Sequence, residues 1–225
     1  MSIAPHSKRE RNEPPAMPSP SPEPSGTAKR ILDVAERLVQ KQGFNGFSYA
    51  DISAALGITK ASLHYHFRTK AQLGLSLIHR YQHHFDEALA AIDAARLEPR
   101  QKLRRYARLY SDVLRKDRMC LCGMLAADYA TLPKPMRDSV TAFFDANESW
   151  LESVLEQGRR GGGLRFEGPA AEEARLLVAS LEGAMLVARS YDDVARFEAL
   201  AERALAAIGA GTIPGDGTAP EREPA

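Results

Sequence analysis

Cysteine is scarce, with two residues in 225. Two thiols cannot form the framework of a small disulfide-stapled secreted scaffold, so a reducing compartment is the expected setting. Long apolar runs are missing too. The best candidate, residues 176–188, carries Glu182 in its middle and falls short of the roughly 18 apolar residues that a membrane span needs. The first 25 residues contain charges and prolines but no apolar stretch of secretory type, which makes the cytoplasm the expected location. No phosphate-cradling glycine loop, nucleophile elbow or cluster of metal ligands is visible, and Gly161 to Gly163 lack the strand and helix that flank a nucleotide fingerprint. Catalysis, a cofactor and a bound metal are therefore not expected. No internal repeat is found either.

The chain does contain a core's worth of apolar residues, 44%, which excludes a wholly disordered protein. Residues 1–26 hold seven of the 14 prolines, four of them in the run from Pro18 to Pro24, and almost nothing apolar. Such a segment cannot offset its ordering entropy and reads as a disordered tail, as does 209–225 with its Gly, Pro and Thr. The overall charge of +1 conceals an asymmetry. Residues 27–70 carry seven basic and three acidic side chains, a net of +4, whereas 71–208 are nearly neutral. A basic surplus confined to the first folded segment suits a polyanion such as DNA.

Nearly every periodic segment has helical spacing, and no run alternates apolar and polar residues as a half-buried strand would, so the body is predicted to be all α. Ile31, Leu32, Ala35, Leu38 and Val39 mark a first helix from about residue 27 to Gly43. Ser48, with Asp51 three residues on, caps a short second helix that ends at Gly57. Thr59 caps a third helix, 60–67. Leu73, Leu77, Tyr81, Phe85, Leu89 and Ile92 then lie on one stripe of a long helix reaching about Ala95. Further helices are expected after Pro99, over 119–131, from Met136 to near Gly158 once Pro133 and Pro135 have interrupted the chain, and over about 169–190 and 192–208. The helix over 169–190 is apolar over more than one stripe, as a helix shared with a second subunit would be.

The decisive segment runs from Phe47 to Lys70. Two short helices around a turn containing Gly57 form a helix-turn-helix, whose second helix fits the major groove of duplex DNA. If Leu63 and Phe67 face inward, then at about 100° per residue Ala61 and Tyr65 point away, with Ser62 and His64 on the shoulders. Those four should face the groove. Ser48, Tyr49 and Lys70, at helix starts, are placed for the flanking phosphates.

Gly43-Phe44, Phe47-Ser48, Asp51-Ile52, Leu56-Gly57-Ile58-Thr59-Lys60, Ser62-Leu63, Tyr65-His66-Phe67 and Lys70 resemble, in order and spacing, the signature of the TetR/AcrR family of transcriptional repressors. The likeness is strong from about Ile31 to Leu77. It implies a homodimer of two-module helical chains: an N-terminal helix-turn-helix domain, 27–72, that binds a double-stranded DNA operator, and a larger bundle, 73–208, that dimerises and binds a small-molecule inducer. By position, the family's groove and phosphate contacts fall on Ser48, Tyr49, Thr59, Lys60, Ser62, Tyr65, His66 and Lys70. His64 is a departure: relatives usually have a phosphate-binding tyrosine directly after the leucine of the recognition helix, so this contact is expected to be weaker or pH-sensitive. The segment from Met119 to Asp128 is similar to one in family members that respond to small, sometimes reactive, organic molecules.

Candidate ligand-pocket residues are Tyr106, Tyr110, Cys120, Cys122, Met124, Tyr129, Phe143 and Trp150. The aromatic members line a cavity or simply fill the core, since binding pockets are mostly apolar. Cys120 and Cys122 lie two apart, which on a helix turns them about 200° from each other, so they are read as separate core thiols or as a sensor of electrophiles or oxidants. His79, His83 and Glu87 share one helix face opposite the apolar stripe and read as a solvated surface rather than a metal site. The Arg-rich face from Arg100 to Arg118 reads likewise. The leading expectation is a ligand-responsive DNA-binding regulator; the competitors are a helical enzyme using a cysteine or histidine and a protein-interaction bundle with no specific DNA target.

Overall fold

The structure, a computed structural model, describes residues 26–209, so the tails expected at 1–26 and 209–225 lie outside the described residues apart from Gly26 and Gly209. Gly26 opens the first helix, and Gly209 forms an antiparallel bridge with Leu164, the one extended pairing among the described residues. Everything else there is helix or connection: α1 Gly26–Gln42, α2 Tyr49–Leu56, α3 Lys60–His66, α4 Lys70–Ala94, α5 Pro99–Leu114, α6 Leu121–Ala127, a 3-10 turn Tyr129–Thr131, α7 Lys134–Arg160, α8 Ala170–Ser190 and α9 Val194–Ala207. The all-α expectation holds.

Local chemistry sets the ends of the first elements. Gly43 stops α1 at φ +79°, where a side chain would be strained, and its N–H donates to the Val39 carbonyl. Ser48 and Asp51 form the full capping box of α2, and Gly57 closes that helix in the left-handed region. Ile31, Leu32, Ala35 and Val39 of α1, Ile52 of α2, Leu63 of α3, and Phe67 are all buried together, which makes one small core for three short helices. α4 carries the expected stripe of Leu73, Leu77, Tyr81, Phe85, Leu89 and Ile92 and buries all six. Its first half is bolted to α1: Arg80 donates to Asp33 at 2.7 Å and to Glu36 at 2.6 Å. Its second half packs on α5 and α7.

Two expectations need correcting. Pro133 and Pro135 do separate the 119–131 segment from α7, but the helix starts at Lys134 rather than Met136, with Pro133 as its cap and Pro135 within the first turn, where a missing N–H breaks no helical bond. Cys120 is not a helical residue; it caps α6, its Sγ accepting the Gly123 N–H at 3.4 Å, while Cys122 lies inside the helix. The angular argument for the two thiols therefore has the wrong premise, although both are buried and free.

The helix α8 buries Ala174, Leu177, Val178, Leu181, Met185 and Ala188 yet leaves Leu176, Leu186 and Val187 exposed on another face, and Leu200 of α9 is exposed as well. Its one central charge, Glu182, turns inward toward α6. The residue as a whole is half-buried, but Oε1 is enclosed, and burial raises the carboxyl from the usual 4.5 to about 7. The folded chain thus holds this proton over a range in which the unfolded chain has released it. The stability contributed by the group is complete below about pH 4.5 and declines as the pH rises to about 7, by at most about 3 kcal/mol. Denaturant melts of wild type and Glu182→Gln across pH 4–8 should show that decline in wild type and a flatter profile in the variant; superimposable profiles would contradict the enclosure of the carboxylate.

Candidate nucleic-acid interface

The third helix presents its residues as its length and packing dictate. With Leu63 fully buried and Phe67 almost so, Ala61, His64 and Tyr65 stand in solvent and Ser62 is half-buried. Tyr65 is 84% exposed, the highest value among the exposed large apolar residues. Its ring meets the half-buried His66 edge to face at 5.2 Å. Lys60 opens α3 on the same exposed side.

Beside α3 lies an open cleft of about 420 Å³ lined by Phe47, Ser48, Tyr49, Ala50, Lys60, His64 and Lys70. Two lysines and the first turn of α2 face it, which is the electrostatic setting an anion requires. The groups differ in how free they are to act. Lys70 is half-buried; its ammonium donates to the Phe47 carbonyl and sits 4.2 Å from the Phe47 ring centroid and 4.7 Å from that of Phe44. Burial pushes its pKa down, opposed by the carboxylates of Asp128 and Asp51. One of its three protons is thus taken by the protein. The Tyr49 hydroxyl points inward, donating to the Phe67 carbonyl at 2.9 Å, and burial raises it to about 12. The Ser48 N–H and hydroxyl both donate to Asp51, at 2.7 and 2.8 Å, which holds that carboxyl below its usual range. Thr59 Oγ1 accepts the Ser62 N–H at 3.1 Å and so caps α3. His64 Nδ1 lies 3.2 Å from the Arg68 carbonyl, and since a carbonyl only accepts, Nδ1 carries the hydrogen and Nε2 is left to face outward partners.

Sequence reading missed the residues that hold this reading head in place. Asp128, at the end of α6, accepts the Phe44 N–H at 2.7 Å and the Asn45 side chain at 3.2 Å, and Asn45 also donates to Thr131 at 2.8 Å. A Cβ on Gly43 would come within 3.0 Å of Asp128 Oδ2, so the glycine also makes room for this latch. At the last turn of α1, the Arg189 guanidinium donates to the Gln40 and Lys41 carbonyls at 3.0 and 2.6 Å, satisfying carbonyls that a helix end leaves free. A sequence shows an isolated Asp or Arg, not its partner some 80 or 150 positions away.

The predicted pocket residues fall into two groups. Tyr106, Tyr110, Phe143, Cys120 and Cys122 are buried, and Trp150 stacks on Tyr106 at 5.7 Å with its Nε1–H donating to Asp93. Tyr106 donates to Asn147 and shares a 3.1 Å hydrogen bond with Tyr110. Tyr129 stands apart, exposed against Arg137, and Met124 is half-buried at the α1–α6 contact beside Gly43. Burial pushes both thiols well above their usual range, the opposite of the lowered value that a reactive thiolate needs. His83 lies 3.5 Å from Glu87, and its ring is 6.2 Å from that of His84.

Comparison with known proteins decides the family. A model described as "Bacterial regulatory proteins, tetR family" matches residues 31–77, and a second, "Tetracyclin repressor-like, C-terminal domain", matches 99–207. A TetR-family regulator from Agrobacterium tumefaciens is 34% identical in sequence and superimposes with a TM-score of 0.78 over 81% of this chain and 97% of its own. The chain belongs to the TetR family. Another TetR regulator, from Legionella pneumophila, is 31% identical with a TM-score of 0.75 over 83% of this chain and 99% of its own. The transcriptional repressor NemR of Escherichia coli is 26% identical over 176 residues, 74% of this chain and 87% of NemR.

The Asp128 hydrogen bonds should couple the turn after α1 energetically to the end of α6. A double-mutant cycle of Asn45→Ala and Asp128→Ala, read by denaturant unfolding, should give a coupling energy of about 0.5–1.5 kcal/mol. Strict additivity of the two substitutions would contradict the latch.

Proposed function

We propose that this TetR protein is a ligand-responsive transcriptional repressor that binds a palindromic double-stranded operator as a homodimer and leaves it when a small-molecule inducer binds. On this reading residues 27–72 are the DNA-reading part and 73–208 bind the inducer and dimerise. The protein works in the cytoplasm and has no catalytic role; among the described residues no helix is long and apolar enough to cross a membrane.

The observation that carries the reading is the exposure of Tyr65, Ala61 and His64 above a buried Leu63 and Phe67, next to a cleft with two lysines. Ala61 permits close approach to base edges, Ser62 and His64 supply hydrogen bonds, and Tyr65 reaches a thymine methyl or a phosphate. Lys60, the free lysine of the cleft, neutralises a phosphate. Thr59, with its hydroxyl hydrogen still available, and His66 act at the same border. Because their own side chains are engaged internally, Ser48, Tyr49 and Lys70 contribute mainly by fixing the cleft, with the remaining Lys70 protons turned to the phosphate. Repression and release are two states of one protein, and an inducer that prefers the released state by about 1–3 kcal/mol shifts the balance.

These roles separate in a binding experiment. Lys60→Ala should weaken binding to every duplex alike and reduce the slope of log affinity against log salt by about 1, whereas Tyr65→Ala should relax base preference and leave that slope nearly intact. Equal and small effects in both variants would contradict the assignment.

Dimerisation is assigned to the apolar face of α8 and α9. A second copy laid on Leu176, Leu186, Val187 and Leu200 would cover side chains that are otherwise in water. Leu186→Glu with Leu200→Glu should sediment as a monomer and lose at least tenfold in operator affinity; an undisturbed dimer would place the interface elsewhere.

A further inference from the structure

Glu182 is the lone charge in the apolar middle of α8, and neither DNA reading nor dimerisation uses it. Its carboxylate crosses to α6, where Gly123 leaves it space: a Cβ at that position would lie 2.4 Å from Oε2. Cys120, the cap of α6, lies close enough to the carboxylate to interact with it, and Tyr81 of α4 lies close to both. Oε1 is enclosed and no protein donor reaches it.

The groups around this carboxylate share one character. Cys120 and Cys122 come from α6, Tyr81 from α4, and Tyr106 and Tyr110 from α5; each is an acid held neutral by burial, and each feels the negative field of Glu182. Glu148 of α7 acts on Tyr106 with the same sign, and no lysine or arginine among the described residues acts on Glu182. Phe85, 6.0 Å from Tyr106, and Phe143, 5.2 Å from Phe85, extend the aromatic wall. A buried carboxylate with a spare oxygen, facing phenols and aromatic rings, is complementary to a positive hydrogen-bond donor on an apolar body.

We propose that Glu182 is the polar anchor of the inducer site and that the inducer is a hydrophobic amine, its ammonium donating to Oε1 and its apolar body parting the aromatic side chains. This assignment rests on the reading of the protein as an inducible repressor. Its link to DNA is short. α6 has seven residues, so it spans about 10 Å. Its first turn, at Cys120 and Gly123, touches Glu182, and its last residue leads into Asp128, which holds Phe44 and Asn45 of the reading head. A ligand seated on the carboxylate displaces one end of a rigid rod whose other end is the latch.

The test uses the full chain and matched probes: phenethylamine and hexylamine against phenylacetate and hexanoate. The amines should raise the melting temperature of the free protein and release a bound operator duplex, and the carboxylates should do neither. In Glu182→Gln the amine concentration for half release, measured against that variant's own operator affinity, should rise at least tenfold; Cys120→Ser, which keeps a donor on the carboxylate, should respond as wild type does. Amines that leave the melting temperature unchanged, carboxylates that act as well as amines, an undiminished response in Glu182→Gln, or a response lost only in Cys120→Ser would each overturn the proposal. A melting shift in a protein that binds no operator would instead overturn the repressor reading and leave the anchor standing.

Discussion

Asp128 accepts the Phe44 N–H and the Asn45 side chain, and through those bonds the turn after α1 is fixed to the end of α6. The geometry of the whole reading head follows from where that turn lies. α1 is tied at its own C-terminal carbonyls by Arg189 and along its side by Arg80, so the three-helix core of α1, α2 and α3 moves with whatever moves these contacts. A head held only by apolar packing could slide. One held by directional hydrogen bonds and ion pairs has discrete positions, which a two-state regulator requires.

The cleft beside α3 shows a division of labour between holding and binding. Lys70 and Tyr49 each spend a polar group on a main-chain carbonyl, and Ser48 spends its own on Asp51, so these residues set the spacing between α2, α3 and the start of α4. Lys60 and Tyr65 keep theirs free, and His64 keeps Nε2. Preorganisation of this kind would lower the ordering cost of the proposed binding, since a phosphate would meet a cleft already shaped and charged. His64, fixed by the Arg68 carbonyl through Nδ1, extends the same arrangement to the position where relatives usually carry a tyrosine.

Much of this was legible in the sequence because it depends on local rules. Helical spacing gave the number and order of helices, the Ser48–Asp51 pair and Gly57 gave the helix-turn-helix, and a 100° turn per residue told which side of α3 faces outward. What escaped depends on distant partners. The inward turn of the Tyr49 hydroxyl, the Asp128 latch and the Arg189 cap each join residues that only folding brings together. The start of α7 falls at Lys134 rather than Met136 because a proline that breaks a helix interior is harmless in a first turn, and nothing local said which applied. Cys120 was placed on a helix that begins one residue later. Glu182 did leave a signal, as the one charge in an otherwise apolar run, but the sequence could not say whether it faced water, a partner or an enclosed site.

On the proposed reading, two copies of the exposed face of α3, related by two-fold symmetry, read one duplex. Selecting bound DNA from a random pool with the full chain tests it most directly. The selected sites should be palindromic, with half-site centres separated by about one helical turn, roughly 34–36 Å, or a multiple of it. Enrichment of a lone half-site, or no enrichment at all, would contradict the claim.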